Sequence, residues 1–242
     1  GIYENPTELL SISLGSAETT LLNLTSAYCS FVNGGKLVNP KLIDRIQDSE
    51  GNTIFKTEDR YCENCKNISF LSDDVPKIKD NFKQIFSPQT AYQITSILQG
   101  ATKRGTAKKL NDLNLDIAGK TGTTNKNTDT WFIGFTSKLV IGVYVGHDNP
   151  KPLGKYETGA KTAMPIFKSF IKNAVKKQDA RPFKVADDII MMVVDRTSGK
   201  KANFNSKETL IEAFKEKKVN YKKGDNVNFI NRLNKNNILR FY

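Results

Sequence analysis

The sequence predicts an α/β fold in which an antiparallel sheet is flanked by helices. Three β-rich segments separated by short polar turns follow one another within residues 115–148, as in an antiparallel meander. Helical patterns of apolar residues lie before and after this block in the chain. With 242 residues, of which 38% are hydrophobic, the chain can bury a sizeable core.

The segments before the meander predict one helix, one hairpin and one insertion. Apolar side chains share one face within residues 18–35, and Gly34–Gly35 end this helical pattern. Residues 36–56 alternate apolar and polar side chains around "SEGN", which indicates a hairpin. Residues 57–80 are polar, contain two cysteines and are interrupted by proline, so we interpret them as a surface insertion.

A second helix is predicted at 87–102, with Ser87 as its N-cap and Pro88 at its first position. The three strands are expected at 115–123, 129–137 and 139–148. An amphipathic helix at 163–177 is expected to cover the sheet.

Order is expected to thin from Gln178 onward. One hairpin is expected within residues 188–203 and one short helix within 208–218, and the Asn/Lys-rich end is expected to be loose. We therefore divide the chain into a unit at 1–178, which includes the 57–80 insertion, and a partly ordered extension with a basic tail at 179–242.

Several protein classes are disfavoured by the overall pattern. No run of 18 apolar residues occurs, so no transmembrane segment is expected, and residues 1–10 lack the features of a signal peptide. The chain begins without Met and in mid-pattern, which suggests a piece of a longer protein.

The net charge of +12 raises the question of nucleic-acid binding. Lysine outnumbers arginine by 30 to 7, and arginines and stacking aromatics are not clustered, so we expect no nucleic-acid partner. An anionic cell-wall or membrane surface fits the charge equally well.

The three cysteines do not predict a metal site. Cys62 and Cys65 supply two ligands at most, and no second pair or nearby histidine completes a zinc site. In an oxidising compartment this pair would close a small disulfide in a loop. Cys29 lies in an apolar helical pattern and is expected to be a small buried residue.

The segment "AGKTGTT" contains Gly-Lys-Thr but does not fit a phosphate loop. A Walker A loop needs glycine five residues before Gly119, where the chain has Asn114, and the following segments are strands rather than a helix. The segment is better interpreted as a strand.

In such a strand Thr121 and Thr123 point to one face, whereas Lys120 and Gly122 point to the other. Two hydroxyls with an ammonium nearby can hold a carboxylate, and the absent side chain of Gly122 permits close packing. The N–H of Thr123 can serve as one donor of an oxyanion hole. An ordinary surface strand remains the alternative, because Lys-Thr-Gly alone is common by chance.

Longer blocks of sequence extend this interpretation. The chain resembles the C-terminal half of the transpeptidase domain of class A penicillin-binding proteins, over about residues 1–215. The insertion, with "RYCENC", is similar to one in some alphaproteobacterial members. The other blocks that carry the resemblance are "LGSAETTLLNLTSAYCSFVNGGKLVNPKLIDRI", "FSPQTAYQITSILQGATKRGTA", "AGKTGTTNKNTDTWFIGFT" and "VGHDNP".

The resemblance implies the C-terminal portion of a penicillin-binding/serine β-lactamase-like fold. It also implies three motifs: Ser-x-x-Lys with the nucleophile, Ser-x-Asn, and Lys-Thr-Gly. The serine attacks the penultimate D-Ala of a peptidoglycan stem peptide, D-Ala leaves, the acyl group passes to a neighbouring stem, and β-lactams trap the same serine. Lys120 would be the cation of the third motif, Thr121 to Thr124 would bind substrate, and Thr123 N–H would be an oxyanion donor.

The nucleophile is not expected within the chain. Ser169 and Ser198 both begin Ser-x-x-Lys, but 14 serines and abundant lysine produce about two such matches by chance. Both follow Lys120, whereas the serine of the family precedes it, and no Ser-x-Asn occurs. We therefore expect the serine upstream of Gly1, an inactive isolated chain, and association with that upstream half.

Other polar and aromatic residues are expected to have structural roles. His147 is interpreted as a polar residue in a strand-to-loop turn rather than the base of a Ser-His-Asp triad. Trp131 and Phe132 are expected to pack on the sheet. Asp129 and Arg104 are candidates for orienting the loops around Lys120.

By resemblance, the parent would be a bifunctional synthase with a glycosyltransferase domain, anchored in the inner membrane and facing the periplasm. Its partners would be D-Ala-D-Ala stem peptides and β-lactams, with no metal or organic cofactor and no membrane contact except through an anchor outside this chain. The alternatives are a serine β-lactamase or carboxypeptidase, a truncated non-catalytic module that binds wall peptides or a partner, and a basic RNA-binding protein.

Overall fold

The computed structural model describes residues 2–3, 5–6, 8–57, 60–63, 65, 75–176 and 180–216. Its helices, in chain order, are α1 (Leu21–Val32), α2 (Pro88–Lys103) and α3 (Ala163–Ala174). Its strands are β1 (Arg45–Gln47), β2 (Thr53–Lys56), β3 (Arg60–Cys62), β4 (Ile78–Asp80), β5 (Ala118–Thr123), β6 (Asp129–Phe135), β7 (Val140–Gly146), β8 (Ile189–Asp195) and β9 (Thr209–Lys215).

The central sheet has three antiparallel strands in the order β5-β6-β7, with α3 on one face and α1 and α2 on the other. Phe132 is fully buried against Phe167 of α3, with ring centroids 4.8 Å apart. Gly142 lies so close to α1 that a Cβ there would be 2.1 Å from the Thr25 hydroxyl. Phe132 pairs with the residue after Gly142, so the two contacts lie on opposite faces. The predicted sheet flanked by helices is confirmed.

α2 begins where its capping residue predicts, and α1 has a cap of the same kind. The Ser87 hydroxyl accepts a hydrogen bond from the Thr90 N–H at 3.2 Å, and Pro88 occupies the first turn of α2, as expected. In α1 the Thr20 hydroxyl accepts from the Asn23 N–H at 3.1 Å. These contacts satisfy backbone donors that have no partner within the helix.

Two antiparallel pairs of strands lie before α2 in the described part of the chain. β1 pairs with β2, which confirms the hairpin predicted around "SEGN". β3 pairs with β4 in the insertion, and Cys62 and Cys65 form the expected disulfide.

The described part of the C-terminal extension is a hairpin that packs on α2. β9 pairs with β8 along its whole length, so the helix predicted within 208–218 is wrong. The prediction of a hairpin within residues 188–203 is correct in part. β8 lies in this range and forms an isolated bridge there between Val194 and Lys201, but it pairs along its length with β9. The Gln93 side-chain amide of α2 donates to the Ala213 carbonyl of β9 at 3.1 Å. Residues 217–242, including the predicted loose end, lie outside the described residues.

The longest described helix, α2, has 16 residues. No helix in the described part of the chain has the length and apolar character needed to cross a membrane. Within the same residues, no group of three or more His, Cys, Asp or Glu side chains is arranged to hold a metal ion.

Candidate active site

β5, which carries the Lys-Thr-Gly sequence, is an edge strand of the central sheet. The N–H of Thr124 donates to the Asp129 carbonyl at 3.1 Å, so the backbone of Thr124 points toward β6. Backbone groups alternate along an antiparallel strand, so those of Thr123 point to the outer edge. Ile117, an outward member of the same series, accepts a hydrogen bond there from the Thr102 hydroxyl. The Thr123 N–H is therefore placed where a ligand at the sheet edge can accept from it.

The side chains of β5 follow the predicted alternation. Thr121 pairs with Phe132, so it lies on the α3 face, and Thr123 lies on the same face. Lys120 is exposed and starts from the α1 face. Its ammonium donates to the Thr121 carbonyl at 2.9 Å, which brings the charge to the outer edge of β5. The ammonium and both hydroxyls are thus grouped at one end of an edge strand.

The Thr123 hydroxyl is oriented by the loop before α3. The Gly159 N–H donates to the Thr123 Oγ1 at 3.0 Å. Because an N–H can only donate, this hydroxyl accepts here and retains its own proton for a further acceptor. A Cβ on Gly159 would lie 2.5 Å from the Trp131 carbonyl oxygen and 2.6 Å from that of Gly122, so glycine is required for this approach.

The loop that carries Gly159 is braced by the carboxylate of Glu157. The Lys161 ammonium and the Thr162 hydroxyl each donate to it at 2.6 Å. These two hydrogen bonds, with Lys161 the larger contributor, hold the pKa of Glu157 below its ordinary value. The Gly159 carbonyl also accepts from the Met164 N–H at 2.8 Å, at the start of α3.

Thr106 is a neighbour of the site that the sequence pattern did not identify. It is exposed in the loop after α2, and its hydroxyl lies 3.2 Å from the Thr121 hydroxyl. The two residues are 15 positions apart, in different elements, so no local periodicity connects them. The only signal was its presence in the "RGTA" end of a block that resembles the family.

Gly122 and Thr124 occupy different positions from the two strand hydroxyls. A Cβ on Gly122 would lie 3.1 Å from the Trp131 Cβ, so the absent side chain leaves room for the indole. The Thr124 hydroxyl accepts from the Asp129 N–H at 2.8 Å and thereby closes the turn between β5 and β6. The Asp129 carboxylate accepts from the Tyr144 hydroxyl at 2.8 Å, which raises the pKa of Tyr144.

The other candidate residues do not join this group. Ser169 is exposed on the side of α3 opposite the buried Phe167. The Ser198 hydroxyl donates to the Asp195 carboxylate at 2.9 Å in the turn after β8. Arg104 pairs with Glu212 of β9 at 2.6 Å. None of these side chains contacts Lys120 within the residues described.

His147 is exposed after the end of β7, and no hydrogen bond or ion pair of its side chain is found in the described ranges. The arrangement therefore lacks a serine and histidine in contact. What it offers is an ammonium, two hydroxyls and an outward N–H, which together suit a carboxylate and a developing oxyanion beside it.

Comparison with known proteins shows the family to which the chain is similar. The family model described as "Penicillin binding protein transpeptidase domain" matches residues 3–172. Penicillin-binding protein 1A of Rickettsia felis is 43% identical over 218 residues, which are 89% of this chain and 27% of that protein. The Neisseria lactamica protein of the same name is 35% identical over 76% of this chain and 22% of its own length.

A solved structure shows the same fold. The crystal structure of penicillin-binding protein 1A from Haemophilus influenzae matches with a TM-score of 0.70 and 30% identity, over 88% of this chain and 34% of that one. The chain thus spans about a quarter to a third of the proteins it matches. It belongs to the penicillin-binding protein transpeptidase family, among the class A members of the 1A type.

Proposed function

We propose that residues 1–242 supply one wall of a serine D,D-transpeptidase site within a longer parent chain that cross-links peptidoglycan. The observation that carries the proposal is the grouping at the outer edge of β5: the Lys120 ammonium, the Thr121 and Thr123 hydroxyls and the outward Thr123 N–H. Membership of the transpeptidase family supports the same chemistry.

In this proposal the substrate is a stem peptide that ends in D-Ala-D-Ala, and β-lactams bind in its place. The ammonium and hydroxyls hold the terminal carboxylate, and the Thr123 N–H donates to the penultimate carbonyl oxygen as negative charge develops there. Gly122 and Thr124 were expected to bind substrate; in this proposal they act indirectly, because Thr124 closes the turn between β5 and β6 and Gly122 leaves room for Trp131. Terminal D-Ala leaves, and an amino group of a neighbouring stem takes the acyl group from the serine.

The nucleophile is proposed to be a lysine-activated serine outside residues 1–242. A serine nucleophile needs its base within hydrogen-bond reach, and among the residues that the structure describes no lysine ammonium makes such a contact with the Ser169 or Ser198 hydroxyl. The chain spans only about a quarter of its curated relatives, which leaves room for that serine elsewhere in the parent.

Exposed apolar side chains support a partner segment from the same parent. Leu10 and Leu14, before α1, are 95% and 91% exposed, and Leu22 of α1 is 60% exposed. These large apolar side chains lie within a short stretch of the chain, and a partner that covered them together would bury a contact site. We assign it to the other half of the transpeptidase domain. The parent is proposed to be bifunctional, with a glycosyltransferase domain, and to act at the periplasmic face of the inner membrane without a metal or organic cofactor.

Labelling with a fluorescent penicillin tests the proposal. The parent chain should be labelled, residues 1–242 alone should not, and Lys120→Ala should abolish labelling of the parent. Lys138→Ala is the matched control, because Lys138 is exposed in the turn between β6 and β7, at the other end of the sheet. Labelling that survives Lys120→Ala would overturn the proposed role of β5.

A further inference from the structure

Thr106 stands beside the proposed carboxylate site without a role in it. Its hydroxyl lies 3.2 Å from that of Thr121, and either oxygen can be the donor. Both side chains are accessible to solvent, since Thr106 is exposed and Thr121 partly exposed. The geometry therefore allows Thr106 to act on Thr121 while a ligand occupies the strand edge.

The loop that presents Thr106 is fixed on each side of this residue. Arg104 is held by its ion pair with Glu212. A Cβ on Gly105 would lie 2.8 Å from the Ala101 carbonyl oxygen, so Gly105 packs directly on the last turn of α2. Ala107 is fully buried in the core. Thr106 has little freedom to move its backbone, so its contact with Thr121 is built into the fold.

The neighbouring hydroxyl shows what such a contact achieves. Thr123 receives the Gly159 N–H and so keeps its own proton for a ligand. If the Thr106 hydroxyl donates to the Thr121 oxygen, the Thr121 hydroxyl likewise keeps its own proton for a ligand. Both hydroxyls would then present protons to one carboxylate, beside the Lys120 ammonium.

We infer that Thr106 is a positioning residue that orients the Thr121 hydroxyl as a donor to the carboxylate of the bound ligand. This inference rests on the proposed function. It assigns no covalent step to Thr106, and it predicts that the effect of Thr106 is felt only by ligands that carry the carboxylate.

The test measures the second-order rate constant of acylation of the parent chain by a penicillin and by its methyl ester, in which the carboxylate is blocked. Thr106→Val should slow acylation by the free acid about threefold to tenfold, the range expected for one lost neutral hydrogen bond. It should leave the ester rate within about twofold. Thr106→Ser should retain the wild-type rate for the acid, since the hydroxyl is kept.

Two further variants sharpen the result. Thr106→Val should add nothing to Thr121→Val, because the two residues act through one hydrogen bond. Thr53→Val, an exposed threonine in β2, is the matched control and should change neither rate.

Three results would each overturn the inference but not the proposed function. The first is a wild-type rate of Thr106→Val with the free acid. The others are equal losses of rate with acid and ester, and a Thr106→Ser rate as low as that of Thr106→Val. A wild-type parent that is not labelled at all would overturn the proposed function, and the inference with it.

Discussion

Replacing Gly159 by alanine should damage the site through the Thr123 hydroxyl. The new Cβ would lie 2.5 Å from the Trp131 carbonyl oxygen and 2.6 Å from that of Gly122, and backbone atoms of a paired sheet cannot move aside. The loop must therefore shift away from β5, which breaks the 3.0 Å bond from the Gly159 N–H to Thr123.

The magnitude follows from two terms. Overpacking of this kind costs about 1–3 kcal/mol, and the lost hydrogen bond adds about 0.5–1.5 kcal/mol. We expect the free energy of unfolding of the parent chain to fall by about 2–4 kcal/mol. The acylation rate should fall by about tenfold, because the Thr123 hydroxyl loses the donor that orients it.

Denaturant unfolding and penicillin acylation of the parent chain measure these two effects. Gly199→Ala is the control: Gly199 has open space around it and a φ of +68°, so alanine there is strained but touches nothing near β5. It should lower stability slightly and leave acylation unchanged. A Gly159→Ala parent with wild-type stability and acylation would refute the reasoning.

Three further predictions concern the core, the loop and the insertion. Phe132→Ala should lower the free energy of unfolding by about 3–5 kcal/mol, since the ring is fully buried against Phe167; a loss under 1 kcal/mol in denaturant titration would contradict this. The pKa of Glu157 is lowered in the folded state, so its stabilisation is complete above the unfolded value of about 4.3 and is lost as pH falls through the folded value. The thermal unfolding midpoints of wild type and Glu157→Gln should therefore converge as the pH falls. A difference between the two midpoints that grows in acid would contradict the stabilising role of the Glu157 carboxylate. Reduction of Cys62–Cys65, which are 3 residues apart, should lower global stability by less than about 2 kcal/mol, measured by thermal unfolding with and without reductant.

Local chemistry explains which elements the sequence predicted. The start of α2 follows from Ser87 and Pro88, which act within one turn of the helix. The three central strands follow from β-rich segments and short turns. The helix prediction for residues 208–218 was wrong because Glu, Ala, Leu and Lys favour a helix locally. Pairing with β8 and packing on α2 make this segment a strand instead.

In the candidate site, too, local features could be predicted from the sequence and contacts between distant residues could not. The grouping of Lys120, Thr121 and Thr123 is a property of one strand, so its alternation was predictable. Thr106 and Gly159 reach this strand from 15 and 36 residues away, and only the folded chain brings them to it. The residues that orient the site were thus the ones that a sequence pattern could not identify.

The most direct test of the account is to map the penicillin adduct on the labelled parent chain by peptide mass spectrometry. We expect an adduct on a serine of a Ser-x-x-Lys sequence outside residues 1–242, and we expect no adduct on the Lys120→Ala parent. An adduct on Ser169 or Ser198 would contradict it, because the nucleophile would then lie within this chain and away from β5.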